Sequence, residues 1–203
     1  LGMMYAFAAP EASVKNQALS RILARHLRVR AFETLRTEEQ LGYAAGGGAL
    51  DLYQHPMVIF YIQTPVKGPQ DMLDRFNAYT LEYRDELMGL SEESFDKFKA
   101  GVLTALTEPP KNLSSEAGPL ALDWASERYD FDTRAKLISA VESATLDDVQ
   151  TFYDSTVFGE SRSRIVIQLK GQRYGSEPFG TIDGSTVVDD VDQFHRDMPR
   201  QSL

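Results

Sequence analysis

No cysteine occurs among the 203 residues. That removes disulfides, thiolate-held zinc, iron–sulfur clusters and thiol nucleophiles in one step. It leaves the compartment open, because cysteine-free chains serve in both cytoplasm and periplasm. Histidine is scarce as well: His26, His55 and His195 are the only three, and they lie far apart. Neither H-E-x-x-H nor the inverted H-x-x-E-H occurs, so no local zinc constellation is preset on a helix. A G-x-S-x-G nucleophile elbow is missing too, and the glycines at 46–48 are followed by no Lys-Ser/Thr that would make a phosphate-cradling loop.

An excess of positive charge is also lacking. Thirty Asp and Glu outweigh 21 Lys and Arg, for a net charge of −9. This balance predicts no nucleic acid and no anionic membrane surface as the main partner. No apolar run approaches the roughly 18 residues that a membrane-spanning helix needs, and no signal peptide is recognisable. The opening LGMMYAF reads as a strand already under way. The expectation is therefore a piece cut from a longer polypeptide, with targeting information elsewhere.

The remaining composition, 42% hydrophobic and 25% charged, is that of an ordinary globular domain. Leu1–Ala8 is short, apolar and stopped by Pro10, which suits a buried strand. From Ser13, a plausible N-cap, Leu19, Leu23, Leu27, Ala31 and Leu35 recur every four residues and predict a helix. Its other faces carry Arg21, Arg25, Arg28 and Arg30. These form either a binding stripe or a solvated face that pairs with the acidic surplus, and the second is the expectation.

Two strands are predicted next, Leu41–Leu52 and Met57–Thr64, with Asp51–Pro56 connecting them. Gly46, Gly47 and Gly48 inside the first mark a bulge or a close approach of another backbone. Helices follow at Pro69–Met88 and Ser91–Thr107. The stripe Met72, Phe76, Tyr79, Tyr83 and Leu87 is expected in the core. A helix from Ser114 carries Trp124, but Pro119 is awkward beyond its first turn and pushes the start later. Asp132–Ser143 and Thr145–Tyr153 are shorter helices, the latter opening on a Thr145/Asp148 capping box. Arg164–Leu169 is the last strand. Partly segregated strands and helices predict an α+β fold: a two-layer sandwich of a mainly antiparallel sheet with helices packed on one face. The domain is expected over residues 1–170, with residues 171–203 as a tail wrapping its surface and one short helix near Val191.

One polar stretch stands out, ETLRTEEQLGYAAGGG from Glu33 to Gly48. Arg36 and Tyr43 are seven apart, so a helical connection would place both on one side. Arginine offers a permanent forked cation and tyrosine a phenolic donor, which together suit a developing oxyanion. The plainer alternative is an arginine in a helix-end ion pair and a tyrosine in the core. Glu38 and Glu39, adjacent and so pointing apart, read as surface charge.

The run LRTEEQLGY, Leu35 to Tyr43, closely resembles a signature in the last domain of the pitrilysin and insulin-degrading-enzyme family of zinc metallopeptidases. MVIFYIQT, the stretch around Pro110–Ala117 (PKNLSSEA), YDFDTRAKLI and TLDDVQTFY resemble further blocks of that domain in the same order. The likeness runs over roughly Leu1–Leu169 and is weak in the tail, apart from an acidic-aromatic ending near Phe194–Pro199. It implies an α+β unit repeated four times in a zinc endopeptidase, with zinc and H-x-x-E-H in the first unit. The last unit would close a chamber around peptide substrates. It implies that Arg36 and Tyr43 point into that chamber, hold substrate and stabilise the tetrahedral intermediate, with Gly42 giving backbone room beside them.

On this resemblance no metal is held here, zinc belongs to the parent enzyme, and the partners are its N-terminal zinc-binding domains and peptide substrates. The fragment alone would be inactive. The compartment would be periplasmic for a bacterial pitrilysin-like enzyme and cytoplasmic otherwise. Two rivals remain: a non-catalytic homologue serving as a structural subunit, and a stand-alone peptide-binding module. The chain also departs from the family, with Ala44–Gly48 where bulky apolar residues are usual and with Pro119 in a helix that normally lacks it.

Overall fold

The computed structural model describes residues 1–52 and 54–198. Four strands, β1 (Gly2–Ala8), β2 (Ala44–Leu52), β3 (His55–Gln63) and β4 (Ser163–Leu169), form one sheet in the order β2-β3-β1-β4. Every pairing is antiparallel. Among the described residues seven α-helices accompany it: α1 (Val14–Ala31), α2 (Pro69–Met88), α3 (Glu92–Thr107), α4 (Leu113–Ala125), α5 (Thr133–Ser143), α6 (Leu146–Val157) and α7 (Val191–Asp197). This is the expected α+β sandwich. No helix is long and apolar enough to cross a membrane among the described residues.

The strand alternation divides the sheet into two faces. Met3, Tyr5 and Phe7 of β1 stand across from Ile62, Phe60 and Val58 of β3, and all six are buried. Against them lie Leu19, Ile22, Leu23 and Leu27 of α1 and the predicted stripe of α2, where Met72, Phe76, Tyr79, Tyr83 and Leu87 are all buried. Ile165, Ile167 and Leu169 of β4 project from the opposite face and stay exposed. Helices therefore cover one face only.

Local signals fixed most helix starts. Ser13 and Ser91 accept hydrogen bonds from backbone N–H groups three residues on, and Thr145 and Asp148 close a reciprocal capping box. Three expectations need correcting. The strands β2 and β3 pair through Asp51–Pro56 and Leu52–His55, so the connection is a tight hairpin rather than a six-residue loop. Gln54, at φ 70°, makes the left-handed turn that brings the strand back. The helix carrying Trp124 starts at Leu113, capped by Asn112 and Ser115, and runs through Pro119 rather than starting after it. Finally, no bulge interrupts β2: its register with β3 is continuous across Gly46–Gly48. Gly46 and Gly47 answer to close approach of side chains, whereas Gly48 faces open space. A Cβ on Gly46 would sit 2.8 Å from the Tyr61 hydroxyl, and one on Gly47 would sit 2.7 Å from Leu27 Cγ.

After β4 the chain makes a short 3₁₀ turn, Gln172–Tyr174, with Tyr174 buried. Gly180 then exchanges hydrogen bonds with the Gln168 side chain, and Thr181 N–H donates to Gln70. Residues 199–203, the end of the expected tail and of its acidic-aromatic block, lie outside the described residues.

Candidate functional site

The helix α1 does not stop at Ala31; it widens. Residues Phe32–Glu38 form a π-helical turn, closed by Glu39 N–H donating to Thr34 O at 3.0 Å and Leu41 N–H to Leu35 O at 3.0 Å. Such widening often accompanies functional sites, because it re-aims side chains out of the α-helical register. The burial of Leu35 and Leu41 anchors both ends of the turn. Gln40 then adopts φ 52°, a left-handed step that reverses the chain toward β2. Glu39 is not the surface charge expected of it. Arg75 of α2 donates to its carboxylate through Nε at 2.9 Å and through Nη2, and the same guanidinium reaches Glu82 at 2.8 Å. Those hydrogen bonds raise the Arg75 pKa and pin the end of the π-helical turn to α2.

This backbone brings Arg36 and Tyr43 together, though not through the two helical turns that the spacing suggested. The Arg36 guanidinium carbon lies 4.6 Å from the centroid of the Tyr43 ring and 4.6 Å from that of Phe32. The cation thus stacks on two aromatic rings, a favourable electrostatic arrangement. Tyr43 is 85% exposed. Arg36 makes no hydrogen bond and no ion pair with a described residue. Both halves of the plainer alternative, a core tyrosine and an ion-paired arginine, are contradicted. Five guanidinium N–H donors and one phenol are held by stacking and make no hydrogen bond to a described residue.

Gly42 lies directly between them in the chain, and its requirement is stronger than room beside the pair. A Cβ there would come within 2.0 Å of the Gln63 carbonyl oxygen, at the end of β3. Only glycine lets the segment pass that backbone and deliver Tyr43 to Arg36. Phe32 escaped the sequence reading. Its position four residues before Arg36 on a helical face was the available signal.

Among the described residues no group of three or more histidines, aspartates and glutamates clusters in space. His26, on the helix where a zinc motif would stand out, is a core residue: its Nδ1 lies 3.0 Å from the Tyr83 hydroxyl and its Nε2 faces Glu86 at 3.6 Å. Burial, helped by Arg30, lowers its pKa to about 4.

Comparison with known proteins now adds relatives. A family profile described as "PQQ synthase PqqF-like, C-terminal lobe domain 4" matches residues 22–121, which include the π-helical turn, Arg36 and Tyr43. Protease 3 of Escherichia coli K12 is 25% identical over 187 residues, 92% of this chain. The A-factor-processing enzyme of Saccharomyces cerevisiae is 28% identical over 155 residues, 76% of this chain. The chain spans 19% and 15% of the lengths of these two relatives. Among solved structures, pitrilysin superposes with a TM-score of 0.86 at 24% identity, over 98% of this chain and 21% of its own. A peptidase M16 inactive domain from Pseudomonas fluorescens superposes at 0.57 with 13% identity, over 81% of this chain and 39% of its own.

Proposed function

Because the chain belongs to the pitrilysin and insulinase-like peptidases, as one of their C-terminal domains, we propose that it is the non-zinc-binding, substrate-holding part of a peptide-hydrolysing chamber. The observation that carries this reading is the stacked Arg36–Tyr43 pair, with Tyr43 exposed, Arg36 half-buried and neither side chain hydrogen-bonded to a described residue. Two convergent donors of this kind suit a peptide carbonyl, and they suit the oxyanion that forms on it better, because charge-assisted hydrogen bonds strengthen as negative charge develops. Gly42 sets the path of the chain between them. Zinc would be supplied by another part of the parent enzyme, where it would activate the attacking water. The residues of this chain bind and orient the peptide and donate hydrogen bonds to the developing charge.

The bulk of this unit is residues 1–170, with the remainder as its tail. Its partners are the zinc-binding domains of the same enzyme and the peptide. A bacterial parent of the Protease 3 kind would act in the periplasm.

The test is kinetic. In the enzyme that carries this domain, Tyr43→Phe and Arg36→Ala should each lower kcat/KM by at least about tenfold, roughly 1.4 kcal/mol of transition-state stabilisation. The losses should fall on kcat as well as KM. Unchanged kinetics in both variants would sink the assignment.

A further inference from the structure

Along α1, on the side leading away from Tyr43, a cleft of about 650 Å³ opens between α1, α3 and the end of β2. Its floor is apolar, formed by Val29, Ala49, Phe98, Val102 and Leu106. Its rim carries Arg21, Arg25 and Arg28, spaced four and three apart and so on one helical face. Their situations differ. Arg21 Nη2 donates to Asp51 at 2.9 Å, while its Nε is buried with no partner. The Arg25 guanidinium lies against α3 at Gly101, where an added Cβ would meet Nη1 at 2.9 Å. Neither Arg25 nor Arg28 makes a hydrogen bond or ion pair with a described residue. Arg30, by contrast, engages Glu33 and Glu86.

In a chain with 30 carboxylates and only 21 cationic side chains, two neighbouring arginines without carboxylate partners are unexpected. Asp51 is the only acidic side chain lining the cleft among the described residues. A second hollow, about 510 Å³, shares Arg28 and Val29 with the first and is walled by Phe32, the ring that stacks on Arg36. The two hollows thus adjoin at Arg28 and Val29, and the second, which Glu33 and Thr37 also line, ends at the ring beside Arg36. Eleven residues of helix separate Arg25 from Arg36, about 16 Å at 1.5 Å per residue, which about five residues of an extended peptide would cover.

We propose that Arg25 and Arg28 form a remote subsite for an acidic residue of the peptide held at Arg36 and Tyr43. The proposal rests on the site reading above. A carboxylate fits the forked donors of a guanidinium, and the apolar floor accepts the neighbouring side chain. Charge complementarity selects the occupant: Asp51 is taken by Arg21 and Glu33 by Arg30, so an acidic peptide segment places its charge at the two arginines that no carboxylate of the described residues engages.

The experiment uses peptides of neutral sequence in which a single aspartate is walked along the chain, cleaved by the enzyme that carries this domain. Aspartate four to six residues from the cleaved bond should raise kcat/KM about tenfold over asparagine at the same place, as expected for hydrogen bonds to a charged group. The double variant Arg25→Gln/Arg28→Gln should bring that ratio to about one. The variant Arg28→Glu should shift the preference toward lysine. Both arginines are exposed, so these changes leave the core intact. Fluorescence anisotropy with the 203-residue chain should show the same aspartate-over-asparagine preference without any hydrolysis. A flat aspartate profile, or a profile unchanged in the double variant, overturns the subsite. Tyr43→Phe separates the two ideas: it should depress every peptide alike and leave the profile standing. If it has no effect while the arginine-dependent profile persists, the site reading fails and the subsite survives.

Discussion

Arg36 and Tyr43 meet as cation over ring, with 4.6 Å between the guanidinium carbon and the ring centroid, and the Phe32 ring contacts the same cation at the same distance. The contact orients Arg36 without consuming its hydrogen-bond donors. An ion pair at this position would fix the side chain too, but would occupy the donors that a peptide carbonyl needs. Phe32 is 42% exposed, so it contributes little to the core. Phe32→Ala should therefore lower kcat/KM of the parent enzyme by about threefold to tenfold while costing less than about 1 kcal/mol of stability. Steady-state kinetics with a urea melt checks both halves. A loss of stability that matches the loss of activity would return Phe32 to a packing role.

Gly42→Ala should be among the most damaging single-methyl additions in the chain. The added carbon would have to share space with the Gln63 carbonyl, which is backbone and cannot rotate away. Overpacking of this kind costs about 1–3 kcal/mol or more, and relief requires Tyr43 to move. The expected result is a lowered urea midpoint together with activity loss greater than that of Tyr43→Phe. Gly48→Ala is the control, because its Cβ would meet nothing within 4 Å.

His26 makes stability depend on pH in a definite direction. Burial lowers its pKa from 6.5 to about 4, so the folded state prefers the neutral ring. The unfolded chain takes up the proton first as pH falls. The stabilisation is thus fully present above about pH 6.5 and is lost between there and about pH 4, up to about 3 kcal/mol in all. The groups that face the ring act in both directions: Arg30 adds to the depression, Glu86 stands 3.6 Å from Nε2 and opposes it, and Tyr83 contacts Nδ1. Denaturant midpoints measured from pH 7 to pH 4 should fall in the parent chain. The fall should be shallower in His26→Asn, after allowance for that variant's own packing loss.

Much of the architecture was legible because its causes are local. Ser13, Ser91 and the Thr145–Asp148 pair announced helix starts by themselves, and the apolar stripe of α2 announced its buried face. The site was legible only in its members. Arg36, Gly42 and Tyr43 stood out through family resemblance, but the way they meet did not, because a π-helical turn has no single-residue signature. It depends on Leu35 and Leu41 finding the core and on Glu39 finding Arg75, thirty-six positions away. The basic face of α1 was ambiguous for the same reason. Arg30 found carboxylates and Arg28 did not, and only the folded chain decides which.

Pro119 lies at the seventh position of α4, where it removes an N–H and crowds the carbonyl of Ser115. In an interior helix position this costs about 3 kcal/mol relative to alanine. The helix itself makes few contacts with the rest of the fold, and Leu113, Leu122 and Trp124 are exposed. Pro119→Ala should therefore raise hydrogen-exchange protection within α4 far more than it raises the global melting point, since local and global opening are separate events there. Equal gains in both would mean that α4 unfolds with the core.

Arg75 joins stability to the site, and that makes it the most informative residue to change. Its side chain is only 15% exposed, and it bridges Glu39 at the end of the π-helical turn to Glu82 of α2. Removing it leaves two carboxylates facing each other across the gap, so Arg75→Ala should cost about 1–3 kcal/mol. Replacing both partners should cost less than the sum of the single changes. A double-mutant cycle of Arg75→Ala with Glu39→Gln should accordingly give a coupling energy of about 1 kcal/mol. The functional arm runs through geometry. Once Glu39 is released, Gln40 has less reason to keep its left-handed step, and Tyr43 loses its fixed approach to Arg36. Arg75→Ala should then lower kcat/KM even at temperatures where the protein remains fully folded, and Arg75→Lys should restore part of the stability without the forked contact. Full activity in folded Arg75→Ala would show that Arg36 and Tyr43 hold their positions without that tie.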